Sequence, residues 1–184
     1  VHHPAFFAAK ATMMEDLGDL VPNPTFIYHH GWPDLQPIEV RRKAKVVGYE
    51  GRGLYLGEWQ ERIRSACKRL GLRFVVNPKD LRSVDIGIAV RGGPHANFLA
   101  HRYKSNVKLA NFYRGGIPCL LHGADVSYQE TDNGHVRFFS TEEEMEGRLA
   151  ELLDFDLRME IHRSFLEVRE RYSVERMVRE FDDY

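Results

Sequence analysis

The chain has 184 residues, 43% of them hydrophobic, and a formal charge of −1. That length fits one α/β domain with an appendage and not two full domains. The charge balance argues against a general nucleic-acid binder, which carries a large basic excess. No apolar run reaches the length needed to cross a bilayer, no secretory signal pattern opens the sequence, and the two cysteines, Cys67 in a helical pattern and Cys119 in an apolar strand, read as small buried residues. The chain is therefore expected to be cytoplasmic.

Residues 1–24 are mixed, with a possible helix from Pro4 to Leu17 and a break at Pro22 and Pro24. Thr25 to His30 reads as a short strand, and Gly31-Trp32-Pro33-Asp34 with Pro37 as an irregular crossing. From Lys45 the pattern becomes regular. Lys45 to Tyr49 is a strand, Glu50 to Gly57 a glycine-rich loop and Glu58 to Leu70 a helix. Trp59, Ile63, Cys67 and Leu70 make one buried face of that helix, and Gly71 stops it. Arg73 to Val76 and Val84 to Val90 are the next strands, followed by a long loop over residues 91–106. Lys104 to Pro118 reads as a loop with a lysine, a short amphipathic helix and a glycine stop, with a strand from Pro118 to His122. Val136 to Phe139 is a last strand. Thr141 with Glu144 fits a capping box for a helix from Glu142 to Leu153, and Ser173 caps a final helix in a highly charged carboxyl-terminal region.

Strands alternating with helices imply a mostly parallel sheet with helices on both faces. Ligands of such sheets bind beyond the carboxyl ends of the strands. That selects the loops at residues 50–57, 77–80, 91–106 and 123–130. In the first, Gly51-Arg52-Gly53-Leu54-Tyr55-Leu56-Gly57 is a relative of the dinucleotide fingerprint. The acidic residue that would hold a ribose is missing, because the next strand ends in Asn77. Nicotinamide binding is therefore disfavoured, and contact of Arg52 and Gly53 with a diphosphate is the reading kept, beside that of a tight turn with no ligand. Arg91-Gly92-Gly93 ends a strand with its side-chain cover removed, where a ligand would lie or where the chain simply turns. Lys104 and Lys108 stand at a loop-to-helix junction, where backbone N–H groups and the helix dipole favour an anion.

The nine histidines do not form a metal signature. His2-His3 is terminal, His29-His30 would point its rings to opposite faces of a strand, and no H-x-x-x-H or H-E-x-x-H spacing occurs. Glu142-Glu143-Glu144 suits a helix start and is not a carboxylate dyad. No serine sits in a G-x-S-x-G elbow and no cysteine has a histidine at a motif spacing, so ordinary hydrolase signatures are absent and no catalytic residue is assigned.

From Lys45 to its end the chain resembles the carboxyl-terminal, donor-binding lobe of a GT-B-fold glycosyltransferase, of the retaining group related to bacterial polysaccharide and rhamnan assembly enzymes. Such enzymes carry K-L-x-E-x-x-x-x-G-x-P where this chain has Lys108-Leu109-Ala110-Asn111-Phe112-Tyr113-Arg114-Gly115-Gly116-Ile117-Pro118. The resemblance implies a Rossmann-like single lobe over residues 45–184 that binds a nucleotide-diphosphate sugar and transfers the sugar to a glycan or other acceptor. No metal or other cofactor is implied. Carried over by position, Arg52 and Lys108 approach the donor diphosphate, and Asn111 stands where the family commonly has a glutamate on the nucleotide ribose. Tyr128 and Glu130 fall in a loop that runs along the nucleotide.

A GT-B enzyme has two lobes, and residues 1–44 are too few for the second. They read as an amino-terminal extension or an inter-lobe connection. The first residue is Val1 and not Met, so the expectation is a donor lobe whose acceptor lobe is truncated, separately encoded or lost. The other reading is a non-catalytic Rossmann-like nucleotide-binding or interaction module.

Overall fold

Short apolar runs between glycines and charged turns form a five-stranded sheet in a computed structural model that describes residues 27–182. The strands are β1 (Val46–Tyr49), β2 (Arg73–Val76), β3 (Ile86–Ala89), β4 (Cys119–His122) and β5 (Arg137–Phe139). They lie in the order β2-β1-β3-β4-β5 and every pairing is parallel, with Val47 opposite both Phe74 and Ile86. All of β1 and β3 is buried, as a parallel sheet covered on both faces requires. The edge strand β2 begins on the exposed Arg73.

The helices are α1 (Trp59–Arg69), α2 (Phe98–Tyr103), α3 (Val107–Gly115), α4 (Val126–Glu130), α5 (Glu142–Glu151), α6 (Phe155–Val168) and α7 (Val174–Asp182). On one face α1 packs against α5, and the Trp59 ring stands edge-on to Phe139 at 5.3 Å. On the other face α3 packs against α6, and Phe112 presses on Gly87, where a Cβ would lie 2.5 Å from its ring. Gly71 and Gly116 end α1 and α3 in left-handed conformations, at φ of 70° and 59°. Each end closes the same way. Leu72 and Ile117 donate to the Cys67 and Phe112 carbonyls, at 2.7 and 2.8 Å, while Gly71 and Gly116 donate to Lys68 and Tyr113. No helix of the described residues is long and apolar enough to cross a membrane.

Caps appear where the sequence places them, with one difference. Thr141 Oγ1 accepts from the Glu144 N–H at 3.2 Å, but the Glu144 carboxylate reaches back to the Ser140 N–H at 2.7 Å and not to Thr141 itself. Ser173 Oγ accepts from the Arg176 N–H at 3.2 Å at the start of α7. Both cysteines are buried and free.

Three local expectations are corrected. Residues 27–30 form no strand and pair with none of the sheet; the segment packs instead on the turn Arg169–Tyr172, where the Tyr28 ring stands edge-on to Tyr172 at 5.5 Å and the following Gly31 donates to the Tyr172 carbonyl at 2.9 Å. Without strand geometry the His29 and His30 rings do not point apart but lie 5.2 Å from each other at 30°. Residues 91–106 are not a structureless loop, since they hold the 3₁₀ turn Gly93–His95 and helix α2, whose Asn97 Oδ1 accepts from the Ala100 N–H at 3.0 Å. The expected helix from Pro4 to Leu17 lies outside the described residues, as does the His2-His3 pair.

The stretch from residue 31 to residue 44 belongs to the core of the lobe. Leu35, Ile38 and Ala44 are buried there, and Ile38 donates to the Gly115 carbonyl at 2.9 Å. Arg158 of α6 fixes its far end. Fully buried, it donates through Nη1 to the Leu152 and Leu153 carbonyls and through Nη2 to those of Arg41 and Arg42, all at 2.7 to 3.0 Å.

Candidate functional site

The sheet reverses its direction of growth between β1 and β3, so a crevice opens beyond the carboxyl ends of these two strands. Glu50 follows β1 directly and Arg91 lies two residues beyond β3. The two loops dock backbone to backbone. Gly92 donates to the Tyr55 carbonyl at 2.9 Å, and the Glu58 carboxylate accepts from the Gly93 N–H at 2.8 Å. A Cβ on Gly92 would lie 2.0 Å from the Leu56 oxygen, and one on Gly57 would lie 2.5 Å from the Gly93 nitrogen. Only glycine permits that approach.

The docked loops, α2 and the start of α3 enclose a cavity of about 630 Å³. Three cations line it, Arg91, Lys104 and Lys108, with Tyr55, His95 and Tyr103 as its aromatic surface. The Tyr55 and His95 rings meet edge to face at 4.5 Å. Lys104 enters because α2 ends one residue before it, which leaves its side chain exposed.

Arg91 is held from behind. Its Nε donates to Asp125 Oδ1 at 2.9 Å, and the same oxygen accepts from His101 Nδ1 at 3.0 Å. Asp125 is only 1% exposed, so this charge pair is shielded from water. Among the described residues nothing accepts from the two terminal nitrogens of Arg91. They remain available as the paired donors that a phosphate takes.

Lys108 lies with its Nζ 5.1 Å from the centre of the Tyr49 ring. Burial pushes its pKa down to about 8 and Arg91 pushes the same way, while Glu50 and Asp125 oppose them. Tyr49 is fully buried, and burial raises its hydroxyl to about 12. The phenol therefore stays neutral under the ammonium group. Glu50 is pushed up by burial, with Asn111, Lys108 and the Trp32 side chain favouring its charged form.

Asn111 faces inward. It is fully buried, its Nδ2 donates to both Glu50 oxygens at 2.8 and 2.7 Å, and its Oδ1 accepts from the Trp32 N–H at 2.7 Å. Tyr128 is 1% exposed and packs behind Arg91 and Asp125, where burial holds its hydroxyl protonated. Arg52 is exposed at the start of the turn Gly53–Tyr55, and Glu130 ends α4.

Of the residues singled out from sequence, Arg91, Lys104 and Lys108 thus converge on one cavity. Arg52 and Gly53 lie in the turn whose last residue lines it, Gly92 joins the two loops, and Asn111 and Tyr128 are buried. Glu50, Tyr55, His95, His101 and Asp125 lie in loops that the sequence selects, His95 and His101 by name in the long loop over residues 91–106, but sequence reasoning gave none of them a role. Two of these had a readable signal, because Glu50 is the first residue after β1 and Asp125 lies in the loop after β4. Among the described residues no group of three or more His, Cys, Asp or Glu side chains is placed to hold a metal ion.

No protein-family model matches the sequence, and no curated protein matches it. Solved structures do. The chain matches WaaG, a glycosyltransferase involved in lipopolysaccharide biosynthesis, with a TM-score of 0.57 at 11% identity, over 82% of this chain and 53% of that one. It matches the glycotransferase of kitacinnamycin with a TM-score of 0.50 at 15% identity, over 96% of this chain and 53% of that one. The chain spans about half the length of each. In fold it is a Rossmann-like α/β lobe of the kind found in GT-B glycosyltransferases.

Proposed function

We propose that this lobe binds the diphosphate of a nucleotide-sugar donor and serves a glycosyltransferase that passes the sugar to a glycan or other acceptor. The observation that carries the reading is the convergence of Arg91, Lys104 and Lys108 on one cavity at the reversal point of the sheet. Cleavage of the bond between the sugar and the diphosphate leaves negative charge on the departing phosphate oxygen. Fixed cations at that place stabilise the charge as it develops and need no rearrangement to do so. Arg91, with Nε anchored on Asp125, offers a pre-oriented pair of donors, and Lys108 adds a half-buried charge beside it. The likeness to solved glycosyltransferases supports the fold on which this reading rests.

A thermal-shift panel of UDP, GDP, dTDP and ADP and their sugar-linked forms, with NAD and NADP as controls, tests it. A ligand that binds only the native state raises the melting temperature by mass action. The expected result is a rise with one diphosphate series. A rise with NAD or NADP alone would replace the donor reading with a dinucleotide one.

A further inference from the structure

The amino-terminal end of the sheet, opposite the cavity of Arg91 and Lys108, carries a second group of cations. The run before β1 reads Arg41-Arg42-Lys43-Ala44-Lys45. Four of these five residues are basic in a chain whose formal charge is −1, so the excess is local. Ala44 is buried, while Lys43 and Lys45 on either side of it are exposed. The exposed Arg73 joins them because β1 and β2 run parallel, with Val46 opposite Arg73. Arg41, Lys43, Lys45 and Arg73 line one hollow of about 490 Å³, and its lining holds no acidic and no aromatic residue.

The main chain that carries these cations is fixed from two sides. Arg158 holds the Arg41 and Arg42 carbonyls, at 2.7 and 3.0 Å. Asp85, which is 4% exposed, accepts from the Lys45 and Val46 N–H groups on one oxygen, both at 2.8 Å, and from Arg41 Nε on the other at 2.6 Å. Arg41 Nη2 donates to the Ser83 carbonyl at 2.9 Å. Asp85 therefore offsets the charge of Arg41. Among the described residues the side chains of Lys43, Lys45 and Arg73 pair with no carboxylate. Three positive charges thus stand around the hollow without a counter-charge. Like charges on one concave surface repel one another and focus a potential that draws an anion in.

We propose that this hollow is a second anion site, separate from the donor cavity, and that it takes a small soluble molecule bearing two or more phosphate groups. Its size lies within the roughly 300–1,000 Å³ of small-ligand sites. Arg73 offers the planar donor pair that a phosphate takes, and the two lysines add compact charge. Without an aromatic side chain the lining has no platform on which a base could stack, which disfavours a nucleic acid. The two sites lie at opposite ends of β1, and neither depends on the other.

Amide NMR titration with inorganic tripolyphosphate tests the site, because it reads both ends of the sheet at once and reports the fold of each variant. The proteins are wild type, Lys43→Gln with Arg73→Gln, and Arg91→Ala with Lys108→Ala, which disables the donor cavity. The expected result is a saturable shift of the amides at residues 41–46 and 71–73, in wild type and in the donor-cavity variant alike. The glutamine pair should weaken it about tenfold, as the loss of two exposed charge contacts implies. Added salt should weaken it as well. Shifts confined to the loops around Arg91 and Lys108 would overturn the proposal and leave the donor reading standing. Shifts at residues 41–46 that vanish in the donor-cavity variant would overturn it too, since they would only echo binding at the other end. So would shifts matched by sulfate at equal ionic strength, because the cations would then be an ordinary solvated face. Vesicles of phosphatidylcholine with phosphatidylglycerol, or a single-stranded oligonucleotide, form the last arm. Binding of either to residues 41–46 that tripolyphosphate cannot displace would replace the small ligand with a macromolecular surface.

Discussion

Arg91 gives its Nε to Asp125 and keeps both terminal nitrogens for the cavity. This bond fixes the direction of the guanidinium plane, so Asp125 positions Arg91 and does not itself meet the ligand. Arg91→Ala should weaken nucleoside diphosphate binding by about 1.5–3 kcal/mol, the size of a charged hydrogen bond. Asp125→Ala should weaken it less, because the arginine remains but loses its orientation. The double variant should be no worse than Arg91→Ala alone, which a double-mutant cycle read by calorimetry checks. Additive losses would mean that Asp125 acts on the ligand by another route.

Lys108 makes binding depend on pH in a defined direction. Its proton leaves at about 8 in the folded lobe, and only the protonated amine attracts a diphosphate. Affinity should hold to about pH 7.5 and fall as pH rises through 8 to 9, a range where the ligand's own charge is already complete. Lys108→Arg keeps its charge across that range and should flatten the fall. The sign for stability is the reverse. An unfolded lysine holds its proton to about 10.4, so between 8 and that value the unfolded chain binds more protons and the ligand-free lobe gains stability as pH rises. Lys108→Met should therefore raise the melting temperature of the ligand-free protein at pH 7 while removing much of its anion affinity.

The parallel sheet was legible because each strand is a short apolar run bounded by glycine or charge, and α1 because Trp59, Ile63 and Cys67 fall on one buried face. Residues 27–44 were not. Their apolar anchors, Leu35 and Ile38, follow no period, since they fill gaps beside α3 and do not extend a strand or helix. The cations of the cavity were readable as single basic residues at strand ends and helix starts. The groups that aim them were not, because Arg91 meets Asp125 across 34 positions and Asn111 meets Glu50 across 61. Asn111 shows the limit most clearly. Its place in the chain suggested contact with a nucleotide, while its side chain holds the Glu50 carboxylate, a partner in another loop that the spacing of neither residue pairs with it.

The joint between the two glycine loops gives a prediction about backbone and not charge. Gly92→Ala places a Cβ 2.0 Å from the Leu56 oxygen. A main-chain atom cannot swing aside as a side chain does, so the loop after β3 must move away from the turn at Gly53–Tyr55. The expected cost is about 2–3 kcal/mol of stability, in the range of overpacked sites, and weaker diphosphate binding because Arg91 is the preceding residue. Gly134→Ala is the control for substitution as such, although its own φ of 89° adds strain, because nothing lies within 4 Å of its Cβ position. Chemical denaturation of both variants measures the difference. An unaltered Gly92→Ala midpoint would mean that the loops are not in fixed contact.

Arg158 tests whether the stretch before β1 is truly part of the lobe. Four carbonyls depend on this one buried side chain, two that end α5 and two at Arg41 and Arg42. Arg158→Met keeps much of the volume and removes every donor, leaving four carbonyls without this partner, that of the buried Leu152 among them. The cost should be about 2–4 kcal/mol, a few lost bonds to a charged donor partly offset by the desolvation it no longer needs. Hydrogen exchange locates the effect. Protection should fall at the Lys45 and Val46 amides, which donate to Asp85 at 2.8 Å just beyond the freed segment. It should fall less in α1, which receives none of the Arg158 hydrogen bonds. A uniform loss across the lobe would show instead that Arg158 supports the core as a whole and not this tether.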